Sequence, residues 1–169
     1  EEIMANGICD RGGHLLGKTI VFAMTKKHAE RIRDVFEEMF PDQVGMLQLV
    51  HHGMERVHDG PWGEGLITRF KRQDKPRIAV SVDMLDTGVD VPEVVNLVFM
   101  KPVQSRIKLW QMIGRGTRNQ EACRYYDRLP KGQKDEFLVI DFWQNDFGKS
   151  ADRPVAPEVP VLLRLFNLR

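Results

Sequence analysis

The sequence predicts one α/β domain in which a mainly parallel sheet is flanked by helices, and three observations support this. Short apolar, β-branched runs alternate with segments in which apolar residues recur every three or four positions, as strands and helices do. The length of 169 residues is enough for one sizeable core. Hydrophobic residues make up 42% and charged residues 29% of the chain, which excludes disordered, collagen-like and coiled-coil classes.

The first strand and helix have the most regular pattern. The apolar run at 19–24 predicts a buried strand, and Thr25 is a typical helix N-cap because its hydroxyl can accept from the free amides of the first turn. A helix is expected to follow and to end before Pro41. Its apolar face would consist of Ala29, Ile32, Phe36, Met39 and Phe40.

The rest of the chain repeats this alternation. Strands are predicted at 46–50, 77–82, 94–99 and 136–142, and a short helix is predicted around 66–72. A further helix starts at Gln104 or Ser105, and its apolar positions are Ile107, Trp110 and Ile113. Strands joined through helices favour parallel pairing with right-handed crossovers, so we expect ligands beyond the carboxyl ends of the strands.

Charge, cysteine content and hydropathy narrow the function classes. The 25 basic and 24 acidic residues give a net charge of +1, which argues against nucleic-acid binding by bulk charge but leaves room for a local basic patch. Cys9 and Cys123 form no CxxC unit, so we expect reduced thiols and a cytoplasmic location. No membrane span or signal peptide is recognised. The chain begins with Glu1 rather than Met, which suggests a piece of a longer protein.

Residues 12–19 match the phosphate-binding pattern GxxxxGK[ST] at every defined position. That motif needs a strand before the loop and a helix after it, so that the loop amides and the helix N-terminus converge on the phosphates. Here an irregular segment is expected at 4–11 and a strand follows Lys18. We therefore interpret the match as a chance one, while a self-contained P-loop NTPase that uses Lys18 stays open as an alternative.

Two other segments carry more information together than apart. The first, 81–92, follows the third strand; in it Gly88 permits close approach of a ligand, and Asp90 offers a carboxylate to a ribose hydroxyl or to a structural cap. The second, 111–118, closes the helix after the fourth strand. Its arginines at 115 and 118 could face one direction and clamp a polyphosphate if the helix continues through the two neighbouring glycines.

These segments resemble motifs of the second RecA-like motor domain of superfamily 2 helicases and translocases. Residues 20–32 resemble motif IV, 79–92 motif V and 111–118 motif VI, and the likeness extends from about residue 17 to residue 146. Segments 82–93 and 111–118 are most similar to the R (restriction) subunit of type I restriction-modification enzymes, which are ATP-driven duplex DNA translocases. The resemblance implies a RecA-like three-layer sandwich.

The resemblance also implies three groups of site residues. The catalytic group consists of two arginine fingers and a supporting glutamine. The arginine fingers would reach the γ-phosphate of ATP that is bound to a first motor domain. The second group lines the nucleotide, and the third contacts the DNA backbone without reading sequence. The catalytic group is Arg115, Arg118 and Gln111, the nucleotide group Gly88, Asp90 and Gly114, and the DNA group Thr25, Lys26, Ser81 and Thr87.

On this resemblance residues 1–16 would be a leader or linker from a preceding region, 17–148 the motor domain, and 149–169 a tail or the start of a linker. The expected partners are double-stranded DNA, the first RecA-like domain of the same parent chain, and the modification and specificity subunits of a restriction complex, with no membrane. ATP and Mg²⁺ would be shared with that first domain. The isolated piece is expected not to turn over ATP, because neither a working P-loop nor an Asp-Glu metal-binding box is recognised.

Other interpretations stay open at this point. Type III restriction subunits and repair helicases share similar motifs, and a noncatalytic α/β docking module would use the arginines on its surface. The polar segment 51–65 contains three histidines, but no suitable cysteine or carboxylate set accompanies them, so we expect a surface loop and no metal site. Trp62 in that loop could stack on a base, although a partly packed side chain is the expectation.

Overall fold

A computed structural model describes residues 1–55, 57–61, 63–85, 90–118, 120–145 and 162–167. One six-stranded sheet in the order β2-β3-β1-β4-β5-β6 forms its centre. The strands are β1 (Lys18–Ala23), β2 (Leu47–His51), β3 (Ile78–Val82), β4 (Val94–Met100), β5 (Glu136–Asp141) and β6 (Leu162–Asn167). The α-helices are α1 (Glu2–Asn6), α2 (Lys26–Met39), α3 (Leu66–Arg72) and α4 (Arg106–Ile113). Three short 3₁₀ turns lie between α4 and β5.

The first five strands are parallel, and β6 is antiparallel to β5. The central strands are buried along almost their whole length because both faces of the sheet are covered. On one face α2 packs through Ala29, Ile32 and Phe36. On the other face α3 and α4 pack around Phe22, Phe99 and Phe137. These three layers confirm the predicted RecA-like sandwich.

The cap of α2 is formed as expected. Thr25 has extended backbone angles, and its hydroxyl accepts from the backbone N–H of His28 at 3.1 Å. The helix ends at Met39, one turn after its last packed residue and just before Pro41. The predicted helix and its termini are confirmed.

The predicted helix α4 is present, but its packed face agrees with the prediction only in part. Its buried residues are Leu109, Met112 and Ile113, whereas Ile107 is 75% and Trp110 47% exposed. Of the three predicted apolar positions, Ile113 is therefore packed and the other two are not. The helix ends at Ile113, and the chain then passes so close to β5 that a Cβ at Gly116 would lie 2.4 Å from the ring of Phe137.

The first sixteen residues pack against the sheet. The backbone N–H of Ile8 donates to Oδ1 of Asn96 at 2.8 Å, and Nδ2 of Asn96 donates back to the carbonyl of Ile8 at 3.0 Å. Leu16 is buried, and Cys9 pairs with it in an isolated antiparallel bridge. The expectation of irregular structure at 4–11 is wrong for the part that lies in α1.

The sixth strand was not predicted. β6 pairs with β5 along its length, and the ring of Phe166 stacks on that of Phe137 with centroids 4.9 Å apart. Residues 162–167, which were expected in a tail or linker, therefore belong to the sheet, and the rest of the segment after residue 145 lies outside the described residues. No described helix has both the length and the apolar composition needed to cross a bilayer.

Candidate functional site

Lys18, the lysine of the phosphate-loop look-alike, lies inside the domain. It is the first residue of β1 and is fully buried. Its Nζ donates to the carbonyl oxygens of Gln73 at 2.8 Å, Asp74 at 3.1 Å and Pro76 at 2.6 Å. Burial, followed by the positive charge of Arg128, lowers the pKa of Lys18 to about 7. All three donors of the ammonium are used, so Lys18 is structural, in agreement with the interpretation of the pattern as a chance match.

The two arginines of the second segment lie after α4 rather than on it. The backbone N–H groups of Arg115 and Gly116 close a turn onto Met112 and Ile113 at 3.1 and 2.9 Å. Because the helix does not continue, the condition under which both guanidiniums share a helical face is not met. Arg115 is half-buried, and Arg118 is exposed.

Arg118 joins the two motif segments. Its Nε donates to Oδ1 of Asp90 at 3.0 Å, and both side chains are about half exposed. Gly114 ends α4, and the hydroxyl of Thr117 donates to its carbonyl at 3.0 Å. Gln111 is exposed on the last turn of α4. The structure therefore brings one predicted arginine next to the predicted ribose-binding carboxylate, with Gln111 and Gly114 close in sequence.

The position of this pair in the sheet differs from the expectation. Asp90 lies four residues before β4, and Lys134, two residues before β5, donates from Nζ to the carbonyl of Pro92 at 2.5 Å. Burial lowers the pKa of Lys134 to about 8, and Asp90 and Arg118 are among the charges that act on it. The pair thus lies towards the amino ends of β4 and β5, because Asp90 and Lys134 both precede these strands by a few residues.

The carboxyl edge holds a different group of charges. Thr25 and Lys26 follow β1 and are exposed there, as predicted from the sequence. Asp83 directly follows β3, and its Oδ1 accepts from the Nζ atoms of Lys101 and Lys108, each at 3.2 Å. Partial burial opposes ionisation of Asp83, but the hydrogen bonds from the two lysines outweigh it and hold the pKa of its carboxyl below the ordinary value.

Sequence reasoning missed this Asp83–lysine cluster. Lys101 lies 18 residues and Lys108 25 residues from Asp83, so no spacing rule connects them. The available signal was that Asp83 and Lys101 each follow a predicted parallel strand, which places both at one edge of the sheet.

The remaining predicted DNA contacts have mixed outcomes. Ser81 is fully buried in β3, and its hydroxyl accepts from the backbone N–H of Leu85 at 2.9 Å, so it does not face a ligand as expected. Gly88 and Thr87 lie outside the described residues, as does Trp62. Over the described ranges, no group of three or more His, Cys, Asp or Glu side chains is arranged to hold a metal ion.

The chain is similar to proteins of known type over most of its length. It is 39% identical over 133 residues to the type I restriction enzyme EcoKI endonuclease subunit of Escherichia coli K12, a match that covers 73% of this chain and 10% of that protein. It is 33% identical over 145 residues to the EcoAI endonuclease subunit of Escherichia coli, covering 83% of this chain and 16% of that protein. The chain therefore spans only a small part of these relatives.

A solved structure gives the same likeness. The fragment structure described as an HsdR subunit of a type I restriction enzyme from Vibrio vulnificus YJ016 superimposes with a TM-score of 0.53 at 28% identity, covering 75% of this chain and 23% of that one. The family model of the helicase conserved C-terminal domain matches residues 13–120. Since that match extends over more than half of the sequence, the chain belongs to the helicase conserved C-terminal domain family.

Proposed function

We propose that this chain is the second motor lobe of an ATP-dependent double-stranded DNA translocase, in the R subunit of a type I restriction endonuclease. The two type I endonuclease subunits that it resembles support this branch of the family. In this proposal residues 17–148 form the main part of the motor domain, and the segment 1–16 and strand β6 pack onto its sheet. The first motor lobe belongs to the same parent chain, and modification and specificity subunits complete the complex.

The observation that carries the proposal is the ion pair between Arg118 and Asp90. It joins the two segments that the proposal assigns to the nucleotide. A guanidinium offers a planar set of donors that fits phosphate oxygens, and a carboxylate can accept from a ribose hydroxyl. The ion pair uses Nε of Arg118, so the Nη groups of the same guanidinium can donate to a phosphate while Asp90 orients the side chain.

We assign the arginine-finger role to Arg115 and Arg118, with Gln111 as their support and Gly88 and Gly114 lining the nucleotide. A guanidinium neutralises the charge that develops on the transferred phosphoryl group. In the part of the chain that the structure describes, no three His, Cys, Asp or Glu side chains converge on a position for a metal ion. We therefore assign the ligands of the ion, and the loop that holds ATP, to the first motor lobe.

DNA would lie along the carboxyl edge of the sheet. Thr25 and Lys26 are exposed at the start of α2 and can contact backbone phosphates without reading bases. Thr87 belongs to the same proposed surface. Ser81 lies beneath it, where its hydroxyl holds the backbone of Leu85.

The test is Arg115→Ala in the full-length parent protein. We expect DNA-stimulated ATP hydrolysis to fall by about 10³–10⁵-fold, because an arginine finger contributes that much in related NTPases. Arg106→Ala is the matched control, since Arg106 is an exposed arginine on α4 outside the motif segment. Unchanged DNA-stimulated hydrolysis in Arg115→Ala would contradict the proposal.

A second candidate is the motor lobe of another superfamily 2 helicase. It is favoured by a similarity of 36% over 70 residues, 41% of this chain, to a protein of Methanocaldococcus jannaschii described as an ATP-dependent RNA helicase. The two candidates differ in what the parent protein does with a duplex. A translocase is supported if the parent protein uses ATP to displace the third strand of a DNA triplex while the two duplex strands stay paired. A helicase is supported if it uses ATP to separate the two strands of a duplex.

A further inference from the structure

The carboxyl end of β1 lies between the ends of two neighbouring strands. Phe22 pairs with Ser81 of β3 on one side, and Ala23 pairs with Met100 of β4 on the other. Asp83 directly follows β3 and Lys101 directly follows β4. The Asp83 carboxylate accepts a hydrogen bond from Nζ of Lys101 at 3.2 Å across the end of β1. The cluster therefore closes over the point at which β1 leads into α2.

The carboxylate of Asp83 occupies the place of an anion between two ammonium groups. The side chain of Lys101 is only 8% exposed, that of Lys108 is 40% exposed, and that of Asp83 is 58% exposed. The lysines are thus held in place while their anion faces solvent. A phosphate oxygen accepts hydrogen bonds from ammonium groups as a carboxylate oxygen does, and it can approach Lys108 from the same side.

The backbone of Asp83 is held in an unusual conformation. Its φ of +60° lies in the left-handed region, which residues with a side chain rarely adopt. Asn and Asp are the residues that tolerate this conformation best. The turn therefore aims the carboxylate at the lysines while keeping it on the surface.

Several positive groups lie near the cluster. Both α2 and α4 begin at this edge, and the N-terminus of a helix carries a partial positive charge. Lys26 adds a charge beside β1. Among the described residues, Asp141 at the end of β5 is fully buried and accepts from the backbone of Trp143 at 3.0 Å and from Asn145 Nδ2 at 2.8 Å. It is not available to an incoming cation.

From this arrangement we infer that Lys101 and Lys108 form a binding site for a DNA backbone phosphate, and that the Asp83 carboxylate occupies this site when DNA is absent. The inference rests on the proposed function, because it takes duplex DNA as the ligand. It adds to the proposed surface two lysines that lie outside the motif segments. It also makes Asp83 a competitor of the phosphate. When DNA binds, a phosphate replaces the Asp83 carboxylate at the two lysines, and when DNA leaves, the carboxylate returns.

The experiment measures the affinity of the 169-residue chain for a short fluorescent DNA duplex at several salt concentrations. We expect Lys108→Ala to weaken binding and to reduce the slope of log affinity against log salt by about one, the value for one lost phosphate contact. We expect Asp83→Asn to strengthen binding several-fold, because Asn keeps the left-handed turn but removes the competing charge. Lys131→Ala, an exposed lysine in a turn before β5, removes the same charge elsewhere and should change neither quantity.

Three results would overturn the inference: an unchanged salt slope in Lys108→Ala, weaker binding in Asp83→Asn, or no duplex binding by the wild-type chain at low salt. Circular dichroism spectra and thermal midpoints of each variant show whether the domain is folded. The outcome is separable from that of the proposed function. If Arg115→Ala abolishes ATP hydrolysis by the parent while Lys108→Ala leaves DNA binding unchanged, only the phosphate site is wrong.

Discussion

Lys18 places an ammonium group beside the carbonyl oxygens that follow α3. Three of these oxygens accept from it, and the ring of Phe70 lies 4.9 Å from its Nζ. Arg128 adds two further hydrogen bonds to the carbonyls of Lys71 and Arg72. The carbonyl groups at the end of a helix need partners, and here buried cations supply them.

We expect Lys18→Met to lower the free energy of unfolding by about 2–4 kcal/mol, because it leaves buried carbonyl groups without their charged donor. Urea unfolding followed by circular dichroism measures this. Lys27→Met, an exposed lysine on α2, should change stability by less than about 0.5 kcal/mol. A Lys18→Met domain as stable as the wild type would mean that the ammonium has no structural role and would reopen the P-loop alternative.

Among the elements, the turn after α4 is packed tightly against β5. Gly116 is buried against the ring of Phe137, and a Cβ would lie 2.4 to 2.9 Å from three ring atoms. That ring is itself stacked on Phe166 of β6. It is therefore packed from two sides, and it has little room to move away from a side chain at 116.

We expect Gly116→Ala to lower the free energy of unfolding by about 1–3 kcal/mol, the usual cost of forcing an extra methyl group into a packed core. The matched control is Gly60→Ala, since a Cβ at Gly60 meets no atom within 4 Å. Thermal unfolding of the two variants gives the comparison. Equal midpoints for both would show that the β5 ring adjusts without cost.

Much of the element order was predictable from sequence, because strands that are buried on both faces leave apolar runs. The first strand was predicted at 19–24 and is Lys18–Ala23, and the short helix at 66–72 is Leu66–Arg72. β6 was missed because its identity as a strand depends on its pairing with β5, which the local sequence does not encode. The packed face of α4 was predicted only in part, at Ile113, because periodicity alone does not say which apolar residues meet the sheet.

The candidate sites were predictable to a smaller extent. The exposed Thr25 and Lys26 follow from the rule that parallel strands present their carboxyl ends together. The resemblance assigned Arg118 and Asp90 separately to the nucleotide, but it predicted neither their ion pair nor its position towards the amino ends of β4 and β5. The Asp83–lysine cluster depends on strand order, which no local pattern encodes.

For the molecule as a whole, we expect the 169-residue chain to hydrolyse no ATP, with or without duplex DNA. The lysine that a phosphate loop would require is bonded to backbone carbonyls inside the domain. The measurement is phosphate release by the purified chain, with Lys18→Ala assayed beside it to detect a contaminating ATPase. Turnover that disappears in Lys18→Ala would contradict the proposed half-motor and favour a self-contained NTPase.

The position of β1 also determines how the domain responds to mechanical load. β1 pairs with β3 and β4 along its two sides, and the Asp83–Lys101 ion pair ties those neighbours together over its end. A pull on α2 enters the sheet through β1 and is resisted by the hydrogen bonds of both ladders in shear. An edge strand such as β2 has a ladder on one side only. Tension from the helix that begins at the carboxyl edge is therefore carried by a strand that is held on both sides, and not by an edge strand.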